Sequence, residues 1–325
     1  MLQYSFAQWV FIFCMFSVVG FIWETVYCSL REGKLLNRGF MKGPFLPIYG
    51  FGVCVMLIAA APFPNLVVMG CLSGTVCATV MEYVTGDLME HLFKVRYWDY
   101  SKEKFNLNGH ICLGASLVWF LASFLVNRIA KAPVEKLMDH IGIRAITIID
   151  WIVMTVAVID FAISFKAAMD LRIVLVKMEE ARHEMKLMQK RLDVIIAILA
   201  EEAGDKYEEF TSGVSEKYDE FTDSVSEKFD RIGDFGDGVK RRLEYAKDKT
   251  MELGDKIMPD SGKKMIEEIS GMKDKYAQVL KKYTSSLHPG QKIKNFFIGN
   301  IIRSNPTLTS DEYAEALEEL KKGTK

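Results

Sequence analysis

Five apolar stretches occupy the first half of the chain, whereas the second half is rich in charged residues. The apolar stretches cover approximately residues 6–28, 45–62, 66–86, 109–128 and 145–166. A membrane-spanning helix needs about 20 mostly apolar residues to cross roughly 30 Å of hydrocarbon. The second stretch is the shortest and opens with Pro44 and Pro47, which indicates a broken or re-entrant element. The pattern therefore predicts a membrane bundle of about five spans.

A heptad pattern follows the last span and predicts a coiled coil. Its apolar positions are Leu171, Val174, Met178, Ala181, Met185, Met188, Leu192, Ile195 and Leu199. Steps of three and four residues between these positions, with charged and amide residues in between, give four heptads. The partner helix belongs either to a second copy or to another part of this tail. We expect a homodimer through residues 171–199.

An eleven-residue phrase then occurs three times, as KYEEFTSGVSE, KYDEFTDSVSE and KFDRIGDFGDG over residues 206–238. Eleven residues in three turns keep one apolar stripe on the same face of a long helix. The three copies hold four basic and ten acidic residues and thus carry a net charge of −6. Because an anionic membrane surface would repel that charge, packing on protein is favoured over packing on lipid.

These patterns divide the chain into four segments. They are a transmembrane bundle (1–170), a heptad helix (171–203), amphipathic repeat helices (204–258) and charged C-terminal helices (259–325). Thr309 and Glu312 have the spacing of a capping box in front of the last helix. The predicted fold class is all-α, a polytopic membrane helix bundle with a long helical, coiled-coil-like cytoplasmic tail.

The distribution of Lys and Arg among the loops predicts the orientation in the plasma membrane. Basic residues follow spans one and three and open the tail: Arg31, Lys34, Arg38, Lys42, Lys94, Arg96, Lys102, Lys104, Lys166, Arg172 and Lys177. These segments lie on the cytoplasmic side if the N-terminus is outside. The 129–144 segment violates the rule, because Lys131, Lys136 and Arg144 then lie outside, next to Arg128. Its side stays open, and a short interfacial helix would accommodate it.

Composition and motifs exclude several classes of function. The formal net charge is −1, and no basic patch alternates with aromatic residues, so nucleic acid is not an expected partner. The six cysteines lack CxxC spacing and lie in or beside apolar runs, as small buried residues do. The sequence contains no Walker A, GxSxG or HExxH motif. We therefore expect no enzyme activity, no bound metal and no cofactor.

Acidic residues inside the apolar stretches are the candidate functional groups. Glu24, Glu82, Asp150 and Asp160 lie there, at a cost of roughly 3 kcal/mol each on insertion scales. Such residues face a bundle interior or a water-filled cavity. The predicted cytoplasm-facing polar cluster comprises Glu24, Glu82, Asn106, Asn108, His110 and Asp160. Its acids pair with loop arginines and lock the helices together, line a path for a substrate or ion, or lie at the headgroup level without a partner.

Several short motifs in the loops are distinctive when taken together. They are WETVYC at 23–28, NRGF at 37–40, GPFLPIYGFG at 43–52, WDYS at 98–101 and NLNG at 106–109. In combination they resemble the CmpB-type family of bacterial membrane proteins, which is named for ABC-transporter permeases. The chain end, NPTLTSDEYAEALEELKKG, resembles the closing helix of that family. Leu46 and Lys42 depart from the family pattern of Cys and Asn, so a thiol role at position 46 does not apply.

The loop residues of these motifs suit a tightly folded cap. They are Asn37, Arg38, Gly39, Gly43, Pro44, Pro47, Tyr49, Gly50, Trp98 and Asp99. Glycines permit tight turns and close backbone approach, and prolines stiffen the chain. Arg38 and Lys42 are natural counter-charges for Glu24. A cap over the bundle is favoured over a ligand gate.

The resemblance implies a permease-like component of an ABC transporter, with an unknown substrate and a separate ATPase subunit. Five spans are few for a complete permease, which also favours a dimer. The alternative function is a membrane-anchored scaffold or regulator that acts through its cytoplasmic coiled-coil tail.

Overall fold

The computed structural model describes residues 4–202 and 292–323, together with isolated helical positions between 267 and 279. Its elements are α1 (Phe6–Glu32), α2 (Pro47–Ala60), α3 (Val67–Phe93), β1 (Asn106–Leu107), β2 (Ile111–Cys112), α4 (Leu113–Leu125), a π-helix (Val126–Ala130), α5 (Lys131–Ile141), α6 (Ile143–Glu202), α7 (Lys292–Ser304) and α8 (Ala314–Gly323). The described residues fall into two compact units, and residues 4–173 and 292–317 belong to the first.

Four helical segments are long and apolar enough to cross a membrane. They are α1, α3, the segment Leu113–Ile141 and the segment Ile143–Met188 of α6. The predicted second span is reduced to α2, which has only 14 residues. At 1.5 Å per residue α2 is about 21 Å long, shorter than the hydrocarbon layer. An all-α membrane bundle is therefore confirmed, and among the described residues only the short β1–β2 hairpin interrupts it.

Local sequence fixes the ends of α1. The Ser5 hydroxyl accepts a hydrogen bond from the Gln8 backbone N–H, and the Gln8 side chain accepts one from the Ser5 backbone N–H. This capping box satisfies donors that a helix start leaves free. Gly33 ends the helix with φ of 66°, in the left-handed region that glycine adopts readily. The loop 33–46 begins directly after it.

Contacts within the first unit define its two ends. At one end, which we term the loop end, loops 33–46 and 94–112 meet α6, because the Phe40 ring packs on Phe93, Tyr97 and Phe161. At the opposite end, which we term the turn end, the Tyr4 hydroxyl donates to the Glu135 carboxylate of α5. The helices thus run alternately between these two ends, and the basic loops are gathered at the loop end.

Two glycines allow α1 and α2 to pack in close contact. A Cβ atom on Gly20 would lie 2.2 Å from the Tyr49 ring. A Cβ atom on Gly50 would lie 2.4 Å from the Phe13 carbonyl oxygen and 2.3 Å from the Ser17 hydroxyl. Small residues at helix contacts are a common means of close packing in membranes. The short α2 is therefore held against the middle of α1.

Helix α6 ends at Glu202, and its residues 174–202 belong to the second unit. Within the second unit Met178, Ala181 and Met188 of the predicted heptad seam are buried. Their pairing as a coiled coil between copies stays a prediction. The eleven-residue repeats at 206–238 lie outside the described residues.

The capping box predicted at Thr309 is not formed. Helix α8 begins only at Ala314. The Thr309 hydroxyl donates instead to Asp99 at 3.1 Å, and its backbone pairs with that of Arg96. The neighbouring Ser310 hydroxyl accepts from the Tyr313 backbone N–H at 3.1 Å. The antiparallel backbone pairing of Thr309 with Arg96 therefore takes the place of the helix start that the capping-box motif predicts.

Gly50→Ala should destabilise the bundle, because the added methyl group would meet a backbone carbonyl of α1 that cannot move independently. Overpacking of this kind costs about 1–3 kcal/mol. We expect a lower unfolding temperature of the full chain in detergent micelles, followed by circular dichroism. Gly114→Ala is the matched control, because a Cβ atom there would lie in ordinary van der Waals contact, 3.8 Å from the Cys112 sulfur. Equal unfolding temperatures for the two variants would contradict the close contact.

Candidate functional site

Glu24 lies on α1 near the loop end and is compensated by a positive charge. The Tyr49 hydroxyl donates to Glu24 Oε2 at 2.7 Å. Arg38 Nε lies 3.7 Å from Glu24 Oε1. Arg38 is itself buried, and its Nη2 donates to the Tyr97 carbonyl oxygen at 3.1 Å. For this acid the geometry matches the interpretation in which a loop arginine locks the helices together.

Glu82 lies on α3 and is held differently. Its side chain is buried, with 6% of the residue exposed. Trp119 Nε1 of α4 donates to Glu82 Oε2 at 2.8 Å, and the Tyr100 hydroxyl approaches Oε1 at 3.4 Å. No Lys, Arg or His among the described residues forms an ion pair with Glu82. Two neutral donors therefore hold a carboxylate at a depth where charge is costly.

The two carboxylates are joined through aromatic side chains. The rings of Tyr49 and Trp119 are in contact, with centroids 5.9 Å apart. Tyr49 bonds one carboxylate and Trp119 bonds the other, so α1, α2, α3 and α4 all contribute. We term the set Glu24, Tyr49, Glu82, Tyr100 and Trp119 the carboxylate cluster. Gly20, one turn before Glu24, leaves the space that the Tyr49 ring occupies.

The other predicted members of the polar cluster lie elsewhere. Asp160 of α6 accepts a hydrogen bond from the Gly43 backbone N–H at 2.9 Å and so ties loop 33–46 to α6. His110 Nε2 lies 3.3 Å from Glu90 Oε2. The Asn106 amide donates to backbone carbonyls of its own loop, and the Asn108 amide donates to the Tyr83 hydroxyl. These side chains organise the loop end without contacting Glu24 or Glu82.

Asp150 lies in α6, and the structure buries it. Neither of its carboxylate oxygens has a hydrogen-bond partner among the described residues. Across the described chain, no three His, Cys, Asp or Glu side chains come together in an arrangement that could hold a metal ion.

The loop motifs form a network of short hydrogen bonds over the bundle. The Asn37 amide donates to the Lys42 carbonyl oxygen at 2.7 Å, and Trp98 Nε1 donates to the His110 carbonyl oxygen at 2.9 Å. Asp99 accepts from the Ser101 backbone N–H at 2.9 Å. Gly39 has φ of 137° and lies against the Leu46 side chain. Pro44 lies in the same loop, and Pro47 is the first residue of α2.

A segment near the chain end contacts loops 33–46 and 94–112. This contact was not predicted from the sequence. We term residues 305–313 the C-terminal strap. Thr309 pairs with Arg96 through two backbone hydrogen bonds of 2.8 and 3.1 Å. The Ser310 hydroxyl donates to the Lys94 carbonyl oxygen at 2.7 Å, and the Asn305 amide donates to the Gly39 carbonyl oxygen at 3.1 Å. The sequence signal that could have indicated this contact was the resemblance of the segment to the closing helix of the CmpB-type family.

Ion pairs reinforce the strap. Arg96 contacts Glu90 and Asp311, each at 2.8 Å, and Lys94 Nζ lies 3.0 Å from Glu312. Hydrogen bonds from Tyr313 and Lys94 hold the pKa of Glu312 below its usual range.

The pKa of Asp99, which accepts a hydrogen bond from the strap, is also lowered. Burial alone would raise it, but hydrogen bonds from Ser101 and Thr309 and the charge of Arg96 bring it below the usual range. The hydrogen bonds that join strap and loop, from Thr309 to Asp99 and from Lys94 to Glu312, contribute to this lowering and so stabilise the docked strap above the ordinary values of 3.8 for Asp and 4.5 for Glu. That stabilisation is lost as the pH falls through the lowered values.

Comparison with known families gives one match. Residues 11–165 match the model of a CmpB family described as "Putative ABC-transporter type IV". This finding confirms the resemblance drawn from the loop motifs, and the matched residues include the whole carboxylate cluster. No curated protein and no solved structure matches the chain.

Arg96→Gln should release the C-terminal strap, because Arg96 pairs with Asp311 of the strap and with Glu90 beneath it. Partly exposed ion pairs are each worth up to about 1 kcal/mol, or roughly a fivefold change in the docking equilibrium. We expect faster maleimide labelling of a Ser310→Cys reporter, since residue 310 is buried while the strap is docked. Peptide mass spectrometry would separate this label from those on the six native cysteines.

Lys102→Gln is the matched control, because Lys102 is an exposed cation in the same loop. Labelling in this variant should equal labelling in the parent chain. If Arg96→Gln also left the rate unchanged at neutral pH, the ion pairs would not hold the strap.

Proposed function

We propose that the chain is a permease-like membrane component of an ABC transporter that works with a separate ATPase subunit. The observation that carries this proposal is the environment of Glu82, a buried carboxylate in an apolar span with only neutral donors. The family match over residues 11–165 supports the same class of function.

A purely structural acid in a membrane is expected to have a cation beside it, as Glu24 has Arg38. Glu82 has no such partner among the described residues, and its contact with Tyr100 is long, at 3.4 Å. A carboxylate offers about four lone-pair sites, and Trp119 and Tyr100 use two of them. We therefore assign Glu82 the role of binding a proton or the cationic part of a substrate.

The loop end suits contact with a soluble ATPase. An ATPase in water can contact only the segments of a permease that leave the lipid. Loop 94–112 is such a segment, and its Tyr100 reaches Glu82 inside the bundle. Motion of this loop would therefore be transmitted directly to the carboxylate cluster.

The same end is the cytoplasmic one under our proposal. Basic loops 33–46 and 94–112 are gathered at the loop end together with residues 160–173 of α6, which include Lys166 and Arg172. The Arg172 guanidinium donates to the Leu92 carbonyl oxygen at 3.2 Å. The positive-inside rule then supports an external N-terminus and a cytoplasmic tail.

Glu82→Gln should abolish ion or proton movement without changing the amount of protein in the membrane. The amide keeps the size of the side chain but loses the negative charge that attracts a cation. We expect at least about a tenfold loss of flux, equivalent to about 1.4 kcal/mol, in membrane vesicles that contain the full chain and its ATPase. A pH-sensitive dye would report proton movement, and an immunoblot would report the protein level.

Glu24→Gln is the matched comparison and should instead lower the stability of the protein, because it leaves the buried Arg38 without its counter-charge. The double variant Glu24→Gln with Arg38→Gln should recover part of that stability. Normal flux in Glu82→Gln, together with loss of activity on removal of residues 171–325 alone, would favour the scaffold function over the permease.

A homodimer through the heptad helix should be detectable by crosslinking. Met178 is buried within the single chain, so a parallel partner brings an equivalent Met178→Cys thiol close only where its helix replaces the residues that now cover the seam. We expect an oxidant to give a covalent dimer of the full chain in membranes. Lys177→Cys, one residue outside the seam, should crosslink much less. A Met178→Cys chain that stays monomeric would contradict the dimer.

A further inference from the structure

A cavity at the turn end lies apart from the carboxylate cluster. It has a volume of about 230 Å³ and lies between the α2–α3 turn and the π-helix that follows α4. One wall is apolar and includes Leu57, Phe63 and Val67. The opposite wall carries Arg128 and Lys131, beside the amide of Asn127.

The two cations in this wall have no acidic partner among the described residues. Arg128 is exposed and Lys131 is half-buried. Glu135, one turn beyond Lys131, is engaged by the Tyr4 hydroxyl. Single π-helical turns inside α-helices are frequent at functional sites, and here the turn covers Val126–Ala130. Two side chains with positive charge therefore line a cavity that offers them no counter-ion.

We propose that this cavity binds the phosphate headgroup of an anionic phospholipid. The cavity lies at the ends of the membrane-spanning helices, the level at which headgroups occur. Arg128 and Lys131 supply charge for a phosphate oxygen, because charge-assisted hydrogen bonds from Arg and Lys to phosphate are strong. The apolar wall formed by Leu57, Phe63 and Val67 accepts the beginning of the acyl chains.

The size of the cavity agrees with this ligand. Pockets for drug-sized molecules measure about 300–1,000 Å³, and this cavity of about 230 Å³ is smaller. It can hold a headgroup while the acyl chains remain in the bilayer.

This assignment also accounts for two of the four cations that violate the positive-inside rule, Arg128 and Lys131. Arg128 and Lys131 lie at the end opposite the other basic loops, where orientation alone gives no reason for positive charge. A bound anionic headgroup gives such a reason, because it neutralises both cations locally. The site does not depend on the permease function and would serve equally in a scaffold.

The test measures lipid binding to the purified full chain in neutral detergent. The probes are phosphatidylglycerol and phosphatidylcholine with the same acyl chains, added at equal concentration and detected by native mass spectrometry. We expect preferential retention of phosphatidylglycerol. Arg128→Gln and Lys131→Gln should each weaken it about fivefold, the effect of losing one cation near a headgroup.

Two further variants keep the test specific. Lys136→Gln removes an exposed cation of α5 that does not line the cavity, and it should leave retention unchanged. Ala61→Leu narrows the cavity without changing any charge and should weaken retention. Unfolding temperatures close to that of the parent chain would show that each variant is folded.

Three results would overturn the proposal. Equal retention in the parent chain and in both Arg128→Gln and Lys131→Gln would exclude a role for these cations. An equal loss in Lys136→Gln would indicate a general effect of charge. Competition by glycerol phosphate at the same concentration as the lipid would assign the site to a soluble phosphate instead of a membrane lipid.

Discussion

The loop end depends on one constraint, the compensation of carboxylates that lie within apolar helices. Water cannot solvate these groups, so the protein must supply their partners. Glu24 obtains a cation only because loop 33–46 folds back and brings Arg38 to it. Arg38 in turn donates to the Tyr97 carbonyl oxygen of the second loop. A single half-buried charge on α1 thereby fixes both loops as one cap.

Close helix packing makes the remaining contacts of the cluster possible. Tyr49 can reach Glu24 because Gly20 leaves room for its ring and Gly50 lets α2 approach α1. The Tyr49 ring then contacts Trp119, which holds Glu82. The absence of a Cβ atom at Gly20 and Gly50 thus allows the polar atoms of four helices to be connected. A longer or bulkier α2 would separate the two carboxylates.

Hydropathy was sufficient to predict four membrane helices, since the solvent imposes a length and composition on each, but it also gave the 14-residue α2 as a fifth span. The Glu24–Arg38 pair was also predictable, because the two charges lie in adjacent segments. The partners of Glu82 could not be predicted from the sequence. Trp119 and Tyr100 are aromatic residues, which normally lie in protein cores or in the headgroup belts. The C-terminal strap was missed because its pairing with Arg96 spans more than 200 residues and has no periodic pattern. The spacing of Thr309 and Glu312 predicted a helix capping box, but Thr309 instead forms backbone hydrogen bonds with Arg96 of loop 94–112.

The strap and Glu82 are connected through neighbouring residues of loop 94–112. Arg96 and Asp99 hold the strap, and Tyr100 follows immediately and reaches Glu82. Asp99 and Tyr100 are consecutive residues, so their Cα atoms lie only about 3.8 Å apart. The long hydrogen bond to Glu82 is the weakest contact in this series and would break first. The strap outside the membrane and the Glu82 carboxylate inside it are thus joined through one short stretch of backbone, residues 96–100.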